Sequence, residues 1–270
     1  MHTLRHYLRL FSTTFITLLL AGIALAYGPV AQLTNYHDFA DQHTLFGIAH
    51  GADVLSNLGF ALVALWGWRR LAPARKHPGI AAGWAGYALF LAGLLLTAFG
   101  STWYHLDPDN ARLVWDRLPI TLACGGLLAG VWGDARQRSS AALAAGLALA
   151  GMASVAWWYF TELAGSGDLR AYLLLQILPI LLIPLLQWIH GTPPAERWAF
   201  AGALLLYVFA KFAEMNDHQI AAVLGALTGH TLKHLLATAA AALVVASLVQ
   251  RVRAPLEHNK PVASTSGQFQ

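Results

Sequence analysis

Charge is what this chain has least of. Only 11% of its 270 residues are Asp, Glu, Lys or Arg, against about a quarter in an ordinary soluble domain, while 57% are hydrophobic. That balance excludes the soluble class. Cysteine is almost missing as well: Cys124 stands alone, so no intramolecular disulfide can form and the redox compartment stays open. No internal repeat with a period of about 20 to 50 residues is present. Ionisable residues are practically absent from the centres of the apolar runs, which argues against a transporter, whose ion path needs them there.

What remains is a series of long apolar runs. Crossing about 30 Å of hydrocarbon takes about 17 to 25 residues, and runs of that kind can be placed at 8–28, 52–71, 80–104, 112–132, 139–161, 170–190, 197–213 and 229–250. The predicted fold class is all-α, a polytopic transmembrane helix bundle of eight spans with very little loop. The first span also fits a cleavable signal peptide, with Arg5 and Arg9 ahead of the apolar run 16–24 and small residues at Ala24 and Ala26. The polar tail 251–270 is predicted to be disordered and cytoplasmic.

The net charge of +4 is explained by topology rather than by an anionic partner, and no nucleic-acid binding is expected. With the N-terminus inside, the inner ends receive twelve of the seventeen cations: Arg5, Arg9, Arg69, Arg70, Arg75, Lys76, Arg136, Arg138, Arg197, Arg251, Arg253 and Lys260. Ten of the thirteen acids fall outside, among them Asp38, Asp41, Asp53, Asp107, Asp116, Glu214 and Asp217. The positive-inside rule then predicts that both termini are cytoplasmic.

Candidate chemistry collects at the outer ends. The last span opens Gly229-His230-Thr231-Leu232-Lys233-His234, placing two imidazoles on one helical face about 6 Å apart along the axis. Lys233 is expected to point off that face. Ser101 and His105 share the same i, i+4 relation at the end of another span. The turn 107–110 makes the next span its antiparallel neighbour, bringing Asp116 to their level. Three histidines, an aspartate and a serine are the side chains a zinc hydrolase uses, and the shared outer level was not required by the charge rule. His-x-x-x-His also occurs in structural and haem-binding helices, so the spacing alone leaves a structural role open. The outer segment 27–51, with His37, His43 and His50, has two readings, a cap on the bundle that covers a site or a solvated lid without chemistry, and the lid is the favoured one. Ser56 and Asn57 are read as bonding neighbouring helices, and Lys211–Glu214 and Asp168–Arg170 as surface ion pairs.

Taken together, Ser101-x-x-x-His105, Asp116 on the next helix and His230-x-x-x-His234 on the last resemble the alkaline ceramidase family. That family lies within a wider group of seven-helix metal-dependent hydrolases that includes the progestin and adipoQ receptors. The resemblance runs from about Asp53 to Gln250. It implies a region 1–51 holding an added N-terminal helix and outer loop, a seven-helix core over 52–250, and the tail. It further implies that His105, His230 and His234 hold Zn²⁺, that Asp116 accepts a proton from water, and that Ser101 donates to an oxyanion. The reaction implied is hydrolysis of the amide of ceramide or a related N-acyl membrane lipid near the outer face. Animal ceramidases carry an acidic calcium site before the first core helix; here His50 stands where a glutamate is expected, and calcium is not predicted. The alternative from another class is a receptor or sensor on the same scaffold with a structural zinc site, which needs neither Ser101 nor Asp116.

Overall fold

The computed structural model describes residues 2–225 and 227–253, with side chains from Phe11 onward. The expected tail therefore lies, beyond Arg253, outside the described residues. Ten helices follow in order: α1 (His2–Tyr27), α2 (Gly51–Ser56), α3 (Leu58–Leu71), α4 (Trp84–Leu106), α5 (Asn110–Arg136), α6 (Ala141–Leu163), α7 (Arg170–Ile189), α8 (Pro194–Met215), α9 (Asp217–Leu224) and α10 (Gly229–Arg253). Among the described residues there is no β-strand, only an isolated bridge between Leu45 and Ile48. Helices α4, α5, α6, α7, α8 and α10 are each long and apolar enough to cross a membrane, and Phe11–Tyr27 is a shorter apolar helix. Large apolar side chains such as Leu62, Phe99, Leu149, Phe160 and Phe209 face outward from the bundle. That exterior suits lipid better than water.

The expected span 52–71 is broken in two at Asn57. Three groups converge on the Asp53 carbonyl that would continue the helical ladder: the Ser56 hydroxyl donates to it at 2.8 Å, Asn57 Nδ2 at 2.9 Å, and His234 Nδ1 lies 3.2 Å away. The Asn57 and Phe60 amides fall back on i−3 carbonyls, Val54 O and Asn57 O. Side chains competing with the backbone thus tighten one turn and start a new helix.

Helices α4 and α5 are pressed together by glycines spaced seven apart, Gly86, Gly93 and Gly100. A Cβ on Gly100 would lie 1.9 Å from the Trp115 carbonyl oxygen, so the backbones touch where any larger residue would separate them. Asp109 caps α5 by accepting from the Arg112 N–H at 2.7 Å, which closes the predicted turn. Six helices close into a ring through the contacts α3–α4, α4–α5, α5–α7, α7–α8, α8–α10 and α10–α3. Helix α6 lies outside this ring against α4, α5 and α7, and the described part of α1 packs on α7.

The expected Asp168–Arg170 pair forms at 2.8 Å and does more than staple a turn. Asp168 also accepts from Trp157 Nε1 at 3.0 Å and from the Val30 amide at 3.4 Å, while Arg170 donates to the carbonyls at the end of α1. The Arg170 hydrogen bonds hold the Asp168 carboxyl below the usual carboxylate range, against the opposing effect of burial.

Candidate metal centre and adjoining cavity

Each of the three predicted imidazoles is delivered by a helix end. His105 sits in the last turn of α4. His230 is the second residue of α10, where Asp217 Oδ1 accepts from its backbone N–H at 2.7 Å. The other Asp217 oxygen accepts from the Ala40 amide at 2.9 Å, so one carboxylate holds both the start of α10 and the segment above it. His234 follows one turn later, between α2 and the cavity.

The rings converge. His105, His230 and His234 are all buried, the Nε2 atoms of His105 and His230 are 3.2 Å apart, and one ligand nitrogen from each of the three lies within 4.8 Å of the others. A tetrahedral site with metal–nitrogen bonds of about 2.0–2.1 Å holds its nitrogens about 3.3 Å apart, close to the observed pair. The tautomer of His234 follows from its neighbours. Ser56 Oγ, 2.8 Å from Nδ1, has already given its proton to the Asp53 carbonyl. It can only accept, so Nδ1 carries the hydrogen and Nε2 keeps its lone pair for an ion. His105 Nδ1 is buried without a partner. Such a group can hold a metal ion, and an all-imidazole donor set suits zinc, copper, iron or nickel.

Lys233 corrects the expectation set for it. Its Nζ lies 3.2 Å from His230 Nε2 and 2.8 Å from Glu214 Oε1, and Glu214 is also paired with Lys211. Residue 233 is i+3 from 230, so the two share a helical face. Two groups, Lys233 Nζ and His105 Nε2, therefore crowd the single lone pair of His230 Nε2.

Ser101 and Asp116 come to one place: both are buried at the wall of the same cavity. They line a cavity of ≈ 330 Å³ inside the helix ring, together with His234. Its deep end is apolar, with Leu127, Phe200 and Val244 among the lining. The end beside the histidines carries Tyr36, Arg117, Tyr172, Lys211, Glu214 and Lys233. Sequence reasoning gave no role to Arg117, which is fully buried with its guanidinium 3.9 Å from the centre of the Trp158 ring.

The segment 28–50 is exposed along much of its length yet covers the site through its two buried residues, Phe39 and Asp41. The buried Phe39 ring packs edge-on against His105 and His230 at 4.7 and 4.5 Å, and His37 bonds the Tyr104 hydroxyl at 2.8 Å. Asp41, wholly buried, accepts from the Ala52 and Asp53 amides and fastens the segment to the start of α2. Comparison with known proteins brings no match: no family model, no curated protein and no solved structure matches the chain.

Proposed function

We propose that this protein is a multi-pass membrane amidohydrolase. The observation that carries the reading is that three buried imidazoles meet, and that one of them, His234, lines an apolar cavity that Ser101 and Asp116 also line. In this reading α1, the α2–α3 pair and the six long helices make eight spans, a seven-helix core and one addition. Both termini are cytoplasmic and the site lies near the outer face. The resemblance of Ser101, His105, Asp116, His230 and His234 to the alkaline ceramidase pattern supports zinc as the ion and ceramide or a related N-acyl lipid as the substrate.

What zinc supplies at such a corner, when bound, is acidification of a water and polarisation of a carbonyl oxygen. The chain supplies the rest. Asp116 takes a proton from the attacking water and returns it to the departing nitrogen, so a carbon–oxygen bond replaces the carbon–nitrogen bond and an acid and a free amine leave. Ser101, beside Asp116, turns its hydroxyl to the oxygen that gains charge. The acyl chain lies among Leu127, Phe200 and Val244, and enters sideways between α7 and α8, the least extensive contact of the ring, where Pro179 leaves a gap in the α7 hydrogen-bond ladder.

Lipid mass spectrometry tests this. Membrane lipids incubated with the zinc-loaded chain should lose an N-acyl species and gain the matching fatty acid, and neither His105→Ala nor Asp116→Asn should produce the change. Equal conversion by wild type and both variants, or none by wild type across neutral and anionic amide lipids, overturns the reading.

A further inference from the structure

The cavity holds a cation that the hydrolytic reading does not use. Arg117 follows Asp116 on α5, lines the same cavity and is almost wholly sequestered from solvent. Its guanidinium is boxed by aromatic rings, with Trp158, Tyr36 and Tyr172 at 3.9, 4.9 and 5.2 Å. Rings satisfy the faces of a guanidinium, but its N–H groups point outward in the plane, where only an acceptor serves them. Arg117 Nε and Nη1 are buried with no acceptor, and Trp158 Nε1 is in the same condition.

The charges around the cavity lean the same way. Arg117, Lys211 and Lys233 line it against only Asp116 and Glu214, and Glu214 serves both lysines. A metal ion on the histidines would add to the surplus. A buried cation with idle donors is costly to hold unless an anion arrives to meet it. Position says which part of a substrate brings that anion. Arg117 stands at the end of the cavity beside the histidines, with Tyr36 from the overlying segment and Tyr172 from the first turn of α7, while the apolar depth runs the other way.

We propose that the lipid cleaved here is anionic: its amine portion carries a carboxylate, phosphate or sulfonate, and Arg117 binds that group through its in-plane N–H donors. The proposal rests on the amidohydrolase reading and narrows it, since an acyl tail in the depth and a carbonyl beside Ser101 leave the amine side for Arg117. Bidentate pairing with an oxyanion is what a guanidinium does best.

The test compares three lipids of one chain length in detergent micelles: N-palmitoylglycine, N-palmitoylphosphoethanolamine and neutral N-palmitoylethanolamine. With the full-length zinc-loaded chain, kcat/KM for one of the anionic lipids should exceed that for the neutral one by about tenfold or more. The ratio should collapse towards one in Arg117→Gln and be partly restored in Arg117→Lys. Equilibrium binding of the same lipids to the metal-free chain, where nothing turns over, should show the same preference and the same loss. Which anionic lipid is favoured separates carboxylate from phosphate recognition. Equal cleavage of all three overturns the proposal and leaves the amidohydrolase reading intact. No cleavage, with an Arg117-dependent binding preference, upholds the anion site and removes the amidohydrolase reading. Equal binding and no cleavage removes both. Should Arg117→Gln fail to fold, the wild-type preference among the three lipids decides alone.

Discussion

Removing one hydroxyl from α2 should weaken metal binding by an amount that the geometry sets. In Ser56→Ala, His234 Nδ1 loses the acceptor 2.8 Å away but keeps the Asp53 carbonyl at 3.2 Å. The same substitution frees that carbonyl from the Ser56 hydroxyl, so the surviving bond can shorten. Loss of a group that orients a ligand generally costs about 10- to 100-fold in metal affinity. With a substitute acceptor in place the lower end applies, about tenfold or ~1.4 kcal/mol. The assay is competition for zinc between the purified protein and a chelator of known affinity at fixed pH. Ser101→Ala is the matched control. It too removes a buried serine hydroxyl, but one that lines the cavity with Asp116 and bonds no imidazole, so zinc affinity should hold while turnover falls. Unchanged affinity in Ser56→Ala would refute the claim that its oxygen fixes the His234 tautomer. A loss as complete as that of His234→Ala would refute the claim that Asp53 can take over.

Purified protein should carry about one zinc per chain, and His105→Ala, His230→Ala or His234→Ala should each empty it by elemental analysis; metal retained in all three would dismiss the ligand set. Gly100→Ala places a methyl 1.9 Å from the Trp115 carbonyl oxygen. It should lower stability by about 1–3 kcal/mol, seen as a reduced melting temperature in detergent. Gly146→Ala, with open space around the new Cβ, should not. Because Asp168 is held below its ordinary value, its contribution is complete above the unfolded carboxylate pKa of about 3.9 and is lost as pH falls through the lower folded value. Acid melting curves of wild type should therefore drop below about pH 4 more steeply than those of Asp168→Asn. A membrane-impermeant reagent should label the turn 107–110 in intact cells; labelling only after lysis would reverse the orientation.

The site was legible where it depended on spacing within one helix or across one tight turn. The i, i+4 relation of His230 and His234, and the short turn that sets Asp116 beside Ser101, follow from helical geometry alone. The seam that tightens this pairing was also in the sequence as Gly86, Gly93 and Gly100, a sevenfold pattern that the hydropathy reading passes over. Lys233 departs from the expected off-face position because it stands i+3 from His230, and its long stem then carries the charge to Glu214. The break at Asn57 arises locally, from Ser56 and Asn57 competing for the Asp53 carbonyl, which a hydropathy reading passes over, whereas the docking of Phe39 and Asp217 depends on partners remote in sequence. Asp217 bonds Ala40, and Asp53 meets Thr231 at 2.6 Å, pairings that no local pattern encodes. The reach of Arg117 to Trp158 is of the same kind, since it joins α5 to α6.

The Phe39 ring over His105 and His230 has a consequence for traffic. With that ring in place and the segment behind it fastened through Asp41 and Asp217, the three nitrogens are closed off on the side of the segment by an apolar plug. An ion held there trades with its surroundings through the cavity that His234 lines, not past Phe39. Metal and lipid then share one doorway, and a bound acyl chain slows the departure of the ion.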